Sequence, residues 1–98
     1  MVCIVDHDPE VPAYAVEKGN MIAEQARESF RRAMRAGVRH ACGTDAGTPF
    51  NRHGSGPLEV VRMVEWGLTP LKALRAATAN AAELLRVDEI GTIEAGKA

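Results

Sequence analysis

The feature that most constrains this chain is a short apolar run, residues 38–43, which lies between two helical patterns. The run follows Gly37 directly, ends in Gly-Thr and is followed by an acid, Asp45. A short apolar run flanked by helices is typical of a parallel strand that is covered on both faces. Such a strand needs neighbours, but the chain offers only two further fragments with strand character, residues 1–5 and 90–98. The sequence therefore predicts an α/β chain that supplies part of a sheet and not a whole one.

The helical pattern before this run covers residues 20–36. Asn20 suits the N-cap position and Gly37 suits the position just past the helix end. The apolar face repeats at spacings of three and four residues, and its members are Ile22, Ala26, Phe30, Ala33 and Met34. The opposite face interleaves acids with arginines, which indicates a solvated surface more than a nucleic-acid contact.

Two further helices are predicted after a long Gly-rich loop, residues 46–56. The first begins near Pro57 and ends at Trp66, before Gly67. The second begins at Thr69, as N-cap, and continues to residue 85. Its predicted buried stripe consists of Leu71, Leu74, Ala77, Thr78, Ala81, Leu84 and Leu85.

Composition narrows the class of protein. The chain has 98 residues, 26% of them charged, and a net charge of -1, so we expect one small domain without nucleic-acid or membrane partners. Two cysteines do not form a disulfide framework, and the sequence has neither a signal-peptide pattern nor a transmembrane run. We therefore expect a cytoplasmic protein.

Asp45 is the candidate functional residue that the pattern itself identifies. Ligands and reacting groups gather at the carboxyl ends of parallel strands in α/β folds. Counting in steps of two, Asp45 shares a face with Gly43 and Ala41, which leaves space beneath the carboxylate. The alternative is that Asp45 caps a turn by accepting a hydrogen bond from the backbone two residues on. The pattern alone leaves both interpretations open.

Three motifs together resemble one known family. They are "GTDAG" at 43–47, "RHGSGPLEVVRMVEWGLTPLKALRAATANAAELL" at 52–85 and "IGTIEAGKA" at 90–98. In this order they resemble the C-terminal part of the metal-dependent amidohydrolases, in the branch with imidazolonepropionase-like and Xaa-Pro dipeptidase-like enzymes. The resemblance covers about residues 20–98.

The resemblance implies a fold. The family has a (β/α)8 barrel of the TIM type and a small β-sandwich built from both chain ends. Residues 38–43 would be the last barrel strand and 20–36 the helix before it. Residues 1–86 would then be a partial, incomplete barrel, and residues 87–98 the start of the return to the β-sandwich.

The resemblance also implies an activity, namely hydrolysis of C–N bonds in a small amide or dipeptide with a divalent metal, zinc being the expected one. Asp45 matches the aspartate that serves the family as metal ligand and as catalytic general acid/base. Arg52 and His53, in the loop beyond it, are candidate substrate-binding residues.

The chain departs from the family in one large respect. It contains no His-x-His pair, and its histidines are His7, His40 and His53. A catalytic zinc needs three protein ligands, of which the resemblance assigns one, Asp45. We therefore expect a fragment that is inactive by itself, or else an inactive truncated relative that self-associates or needs a partner chain. A metal site built from Asp6, His7, Asp8, His53 and Asp45 is a further, less favoured alternative to a plain polar loop at 6–8.

Overall fold

The computed structural model describes residues 9–49 and 51–98 of the chain. This part contains four helices in chain order: α1 (Ala13–Arg35), α2 (Gly56–Glu65), α3 (Pro70–Ala77) and α4 (Ala79–Leu85). None of these helices is both long and apolar enough to cross a lipid bilayer. The possible strand at residues 1–5 and the acids and histidine at 6–8 lie outside the described residues.

Helix α1 begins seven residues before the predicted start. Pro12 occupies the N-cap position, so Asn20 lies inside the helix and the prediction that Asn20 caps it was wrong. The prediction that Gly37 lies just past the end of the helix is confirmed. Gly37 has a φ of 73°, and the Gly37 and Val38 N–H groups donate to the carbonyls of Met34 and Ala33. This pair of hydrogen bonds is the Schellman motif, which favours glycine at the left-handed position.

Helices α2 and α3 begin and end close to where the sequence places them. Helix α2 carries Pro57 in its first turn and is followed by Gly67, which has a φ of 125°. Thr69 caps α3, because its side-chain oxygen accepts a hydrogen bond from the Lys72 N–H at 3.3 Å. These boundaries follow from proline and threonine at helix starts and glycine beyond helix ends.

The last predicted helix is divided in two at Thr78. Thr78 has φ -124° and ψ -94°, which no helix accommodates, and its hydroxyl donates to the carbonyl of Leu74 at 2.8 Å. A threonine that bonds back to the carbonyl four residues earlier bends a helix. The break turns α4 away from the axis of α3.

The core is small and lies where α3 packs against α2 on one side and α4 on the other. Its buried apolar residues are Met63, Trp66, Leu68, Ala73, Ala76 and Ala82. Phe30 and Met34 of α1 pack against this core, whereas α1 itself contains no buried residue. The first half of α1 therefore extends beyond the core, in a molecule 49 Å long in its largest dimension.

The predicted buried stripe on the last helices was wrong for its leucines. Leu71, Leu74, Leu84 and Leu85 are between 56% and 72% exposed, and the small residues of α3 and α4 are buried instead. The physical reason is that alanines allow α2, α3 and α4 to approach closely, whereas the leucines lie on the faces without a neighbour among the described residues.

No β-strand is present in the part of the chain that the structure describes, so the strand predicted at 38–43 and the strand fragment predicted within 90–98 are not formed there. A strand is defined by hydrogen bonds to a neighbouring strand, and neither segment has such a neighbour within residues 9–49 and 51–98. Residues 38–45 nevertheless keep the side-chain alternation of a strand: His40, Cys42 and Thr44 are half-buried, and Ala41, Gly43 and Asp45 are exposed.

Residues 38–45 are held against the helices by their backbone. The Cys42 N–H donates to the carbonyl of Ala76 at 2.8 Å, and the Asn80 side chain donates to the carbonyl of His40 at 2.9 Å. The segment therefore lies against α3 and α4, and the chain continues from Asp45 into the loop that follows.

The C-terminal residues fold back on α4 through Gly91. A methyl group added at Gly91 would lie 2.7 Å from the Cβ of Ala82 and 3.2 Å from the carbonyl oxygen of Thr78. The Ala98 N–H donates to the carbonyl of Glu89, which closes the tail into a loop. The proposed division at residue 86 thus falls just before this loop and remains a prediction.

Candidate functional site

Asp45 lies at the end of the strand-like segment with its carboxylate exposed. Its φ is 52°, in the left-handed region that aspartate and asparagine tolerate better than most residues. Its backbone carbonyl accepts hydrogen bonds, but its carboxylate makes no hydrogen bond or ion pair with the described residues. The carboxylate is therefore available to a ligand.

The alternative that Asp45 caps its own turn is not what the structure shows. The Gly47 N–H, two residues on, donates to the carbonyl of Asn51 at 2.9 Å and not to the Asp45 side chain. The Ala46 N–H donates to the hydroxyl of Thr44 at 3.3 Å. The Asn51 carbonyl and the Thr44 hydroxyl thus accept the hydrogen bonds from the turn, and the Asp45 carboxylate does not.

Asn51 organises the loop that carries Asp45. Its side chain is only 7% exposed, and its Nδ2 donates to the carbonyls of Thr44 at 2.7 Å and Asp45 at 3.0 Å. Its backbone pairs with Gly47 and Thr48. Asn51 therefore connects both sides of the loop and fixes the backbone on which the aspartate stands.

Sequence reasoning missed Asn51. The signal that could have found it is an amide side chain inside a Gly-rich loop, six residues after an acid that follows a buried run. An amide can bind two backbone carbonyls at once, which makes it suited to closing a loop. The pattern gives no means of telling such an asparagine from one exposed to solvent.

The structure brings His53 to this loop and places Arg52 beside it. A methyl group added at Gly47 would lie 3.2 Å from His53 Nε2, so the imidazole lies against the backbone two residues after Asp45. Arg52 is exposed, and its carbonyl accepts a hydrogen bond from Ser55. The structure therefore places the His53 imidazole against the loop of Asp45, and the substrate-binding role of Arg52 and His53 stays a prediction.

The helix-facing side chains of the segment pack on the helices. The ring of His40 lies 4.7 Å from that of Phe30, so His40 packs on the helices. Phe30 in turn meets Trp66 edge-on at 5.9 Å, and Trp66 is buried in the core.

Cys42, on the same side, carries a weakly reactive thiol. Burial raises the pKa of the Cys42 thiol, and the carboxylate of Glu59 raises it further. Glu59 is itself 3% exposed. A raised pKa reduces the thiolate fraction, which makes Cys42 less nucleophilic at neutral pH.

The described residues do not form a metal centre by themselves. Nowhere in residues 9–49 and 51–98 do three histidine, cysteine or acidic side chains come together in a way that would hold an ion. A zinc site requires at least three protein ligands. Asp45 and His53 therefore supply donors of a suitable kind but too few of them, and the alternative site with Asp6, His7 and Asp8 depends on residues outside the described part.

Comparison with known proteins identifies the family. No curated protein matches this sequence significantly. The family model described as "Amidohydrolase family" matches residues 1–98, the whole chain. The chain therefore belongs to the amidohydrolase family, a family of hydrolases with a TIM-barrel-related fold.

Proposed function

We propose that this chain carries part of the active site of a metal-dependent hydrolase that cleaves C–N bonds in small amide or dipeptide substrates. The observation that carries the proposal is the state of Asp45. Its carboxylate is exposed and has no partner among the described residues, although its backbone is held by Asn51 in a left-handed conformation. Left-handed backbone in residues other than glycine is concentrated at functional sites, where surrounding contacts maintain it.

The chemistry assigned to Asp45 is proton transfer and metal ligation. Amide hydrolysis needs a base that takes a proton from the attacking water and an acid that gives one to the leaving nitrogen. One carboxylate can do both in turn, and such a group is worth typically about 10²–10⁴-fold in rate. Asn51 acts as a positioning residue in this scheme, because it holds the backbone that sets where the carboxylate points.

The remaining metal ligands would come from outside the described residues. Zinc is the metal we propose, because the donors near Asp45 are a carboxylate and an imidazole, both of which zinc accepts. Since one aspartate cannot hold zinc, the isolated chain should not hydrolyse anything.

The finer assignment is to the imidazolonepropionase-like and Xaa-Pro dipeptidase-like branch. In the barrel of which residues 38–43 would be the last strand, the loop carrying Arg52 and His53 overhangs the site. We propose that these two side chains contact the substrate, His53 being the better supported because it lies against the loop of Asp45.

A second candidate function is that of a non-catalytic relative that self-associates or binds a partner chain. The exposed leucines favour it. Leu71 and Leu74 on α3 and Leu84 and Leu85 on α4 are more than half exposed, which is unusual for four leucines within fifteen residues of a soluble monomer.

The deciding experiment is a chimera in which residues 20–98 replace the matching C-terminal region of a characterised metal-dependent dipeptidase. Zinc content and size-exclusion profile establish that the chimera is folded and loaded. We expect it to hydrolyse Ala-Pro, and Asp45→Asn to reduce kcat at least about 10²-fold. The matched control is Asp88→Asn, an exposed aspartate in the turn after α4, which should leave turnover unchanged. Equal activity of the two variants would remove Asp45 from the mechanism.

Experiments on the isolated chain further distinguish the two candidate functions. It should show no zinc-dependent turnover of Ala-Pro or N-acetylalanine. Sedimentation velocity at low and high micromolar concentration should detect concentration-dependent association if the second candidate holds. A monomer at both concentrations would exclude self-association.

A further inference from the structure

A cleft of about 720 Å³ lies between the end of α1, the turn that joins α2 to α3, and the start of α4. Its apolar lining comes from Met34, Val38 and Ala79, together with Trp66 and Leu68, which are only 4% and 9% exposed. The volume falls within the range of pockets that take small molecules, about 300–1,000 Å³. Residues 37–40 line this cleft, so it lies at the opposite end of the strand-like segment from Asp45.

The cleft is strongly basic although the chain is not. One carboxylate, that of Glu83, lines it together with five cationic side chains: Arg31, Arg35, Arg39, Lys72 and Arg75. The whole chain carries a net charge of -1, so the positive charge is a local arrangement. Clefts lined by one sign of charge concentrate ligands of the other sign.

Two of these cations are neutralised and three are not. Arg39 donates to both carboxylate oxygens of Glu83, and Arg35 pairs with Glu28 at 2.8 Å. Arg31, Lys72 and Arg75 form no ion pair within the described part of the chain. They belong to two different helices, α1 and α3, whose facing surfaces form the walls of the cleft.

The helix geometry adds to this charge. Thr69, the N-cap of α3, and Lys72 in its first turn both line the cleft. The N-terminal end of a helix carries a partial positive charge. Of the three unpaired cations, Lys72 lies at this end, whereas Arg75 lies in the last turn of α3 and Arg31 lies on α1. Arginine matches phosphate oxygens in pairs and lysine adds a point charge.

We propose that this cleft binds a small phosphorylated molecule, with the phosphate between Arg31, Lys72 and Arg75 and the carbon skeleton against Met34 and Val38. This proposal is independent of the hydrolase function, because it uses no residue of the Asp45 loop. The ligand is a phosphate monoester or a similar dianion with an apolar part, since a bare anion would leave the apolar lining in contact with water.

The test is calorimetric titration of the 98-residue chain at low salt with phenyl phosphate, inorganic phosphate and phenol. Phenyl phosphate should bind more tightly than either of the others, because only phenyl phosphate satisfies both the cations and the apolar lining. Trp66 is the one tryptophan of the chain, so a change in its emission on adding inorganic phosphate reports binding at this cleft. Absence of phenyl phosphate binding by the folded chain would overturn the proposal.

Variants locate the site. Arg31→Ser, Lys72→Ser and Arg75→Ser should each weaken phenyl phosphate binding about tenfold, as expected for loss of one charge-assisted hydrogen bond. Arg32→Ser is the matched control, because Arg32 lies on the same helix as Arg31 but does not line the cleft. An equal loss in Arg32→Ser and Arg31→Ser would show a general attraction to a charged surface and would contradict the proposal.

One further substitution should strengthen the binding of phenyl phosphate, whereas the three above should weaken it. Glu83→Gln removes the one carboxylate of the cleft and releases Arg39, so binding of phenyl phosphate should become several-fold tighter. Weaker or unchanged binding in a folded Glu83→Gln chain would count against a phosphate site here. Circular dichroism spectra of all the variants are the control, and each should show the helix content of the original chain.

Discussion

The side-chain amide of Asn51 lies 2.7 Å from the carbonyl oxygen of Thr44, across the loop that carries Asp45. The same nitrogen also reaches the carbonyl of Asp45 at 3.0 Å. One buried amide therefore satisfies two backbone carbonyls at the point where the strand-like segment ends.

Loss of this amide should destabilise the whole chain. Asn51→Ala leaves the part-buried carbonyl of Thr44 without a donor and the carbonyl of Asp45 with only the Thr48 hydroxyl, which should lower the free energy of unfolding by about 1–3 kcal/mol. Chemical denaturation followed by circular dichroism measures it. The control is Thr48→Val, which removes a longer, exposed hydrogen bond to the carbonyl of Asp45 at 3.3 Å. This variant should lower the free energy of unfolding by less than Asn51→Ala does. Equal costs would contradict the special role of Asn51.

Gly91 should tolerate no side chain. Gly91→Ala combines a φ of 93° with a methyl group 2.7 Å from the Cβ of Ala82, so we expect a loss of about 2–4 kcal/mol in unfolding free energy. Gly96→Ala is the matched control. Gly96 has a similar φ of 86° but open space around it, and the expected loss is no more than about 1–2 kcal/mol. The difference between the two variants measures the close packing of the tail on α4.

The Arg39–Glu83 pair should make stability depend on pH in the acidic range. Arg39 donates two hydrogen bonds to the Glu83 carboxylate and lowers the pKa of Glu83 below its ordinary value; the attraction between the charges adds to this effect. A lowered pKa in the folded state means that the stabilisation is complete above the unfolded-state pKa, about 4.3, and is lost as pH falls through the lower folded-state value.

Unfolding free energies measured between neutral pH and about pH 3 test this prediction. Arg39→Gln should flatten the acid-side decline. Arg35→Gln, which removes the other paired arginine of the cleft, should leave the decline unchanged. If the unfolding free energies of the two variants declined equally at acidic pH, the Arg39 pair would have no effect on the titration of Glu83.

The thiol of Cys42 should react faster when Glu59 loses its charge. Burial and the Glu59 carboxylate raise the pKa of Cys42, so Glu59→Gln should lower that pKa and increase the rate of reaction with a disulfide reagent by a factor of a few, since one pKa unit changes the thiolate fraction about tenfold. The measurement is made in a Cys3→Ser background under conditions where the chain stays folded. Glu65→Gln, an exposed glutamate on the same helix, is the control and should leave the rate unchanged.

Local sequence signals predicted the helices well because their causes are local. Thr69 caps α3, and Gly37 and Gly67 end α1 and α2, through contacts within a few residues. The start of α1 was misplaced because Asn20, a residue type favoured at N-caps, precedes the apolar repeat, whereas the structure continues the helix through it.

The rest depends on contacts that a pattern does not contain. The strand at 38–43 requires a neighbouring strand, and the exposure of Leu71 and Leu84 depends on which surfaces are present to cover them. Asp45 could be found because an acid after an apolar run is a local signal. Asn51 could not, since its importance depends on two carbonyls six and seven residues away in the folded loop.

The hydrogen bonds of residues 38–45 have a consequence for sheet formation. Along a strand, successive residues direct their N–H and C=O groups to opposite edges. The carbonyls of His40 and Thr44 and the N–H of Cys42 are all used, by Asn80, Asn51 and Ala76. These even-numbered residues share one edge, which is therefore closed. Only the edge of Ala41 and Gly43 can accept a neighbouring strand. In this conformation the segment would end any sheet it joined, and it could become an interior barrel strand only after exchanging its bonds to the helices for bonds to a second strand.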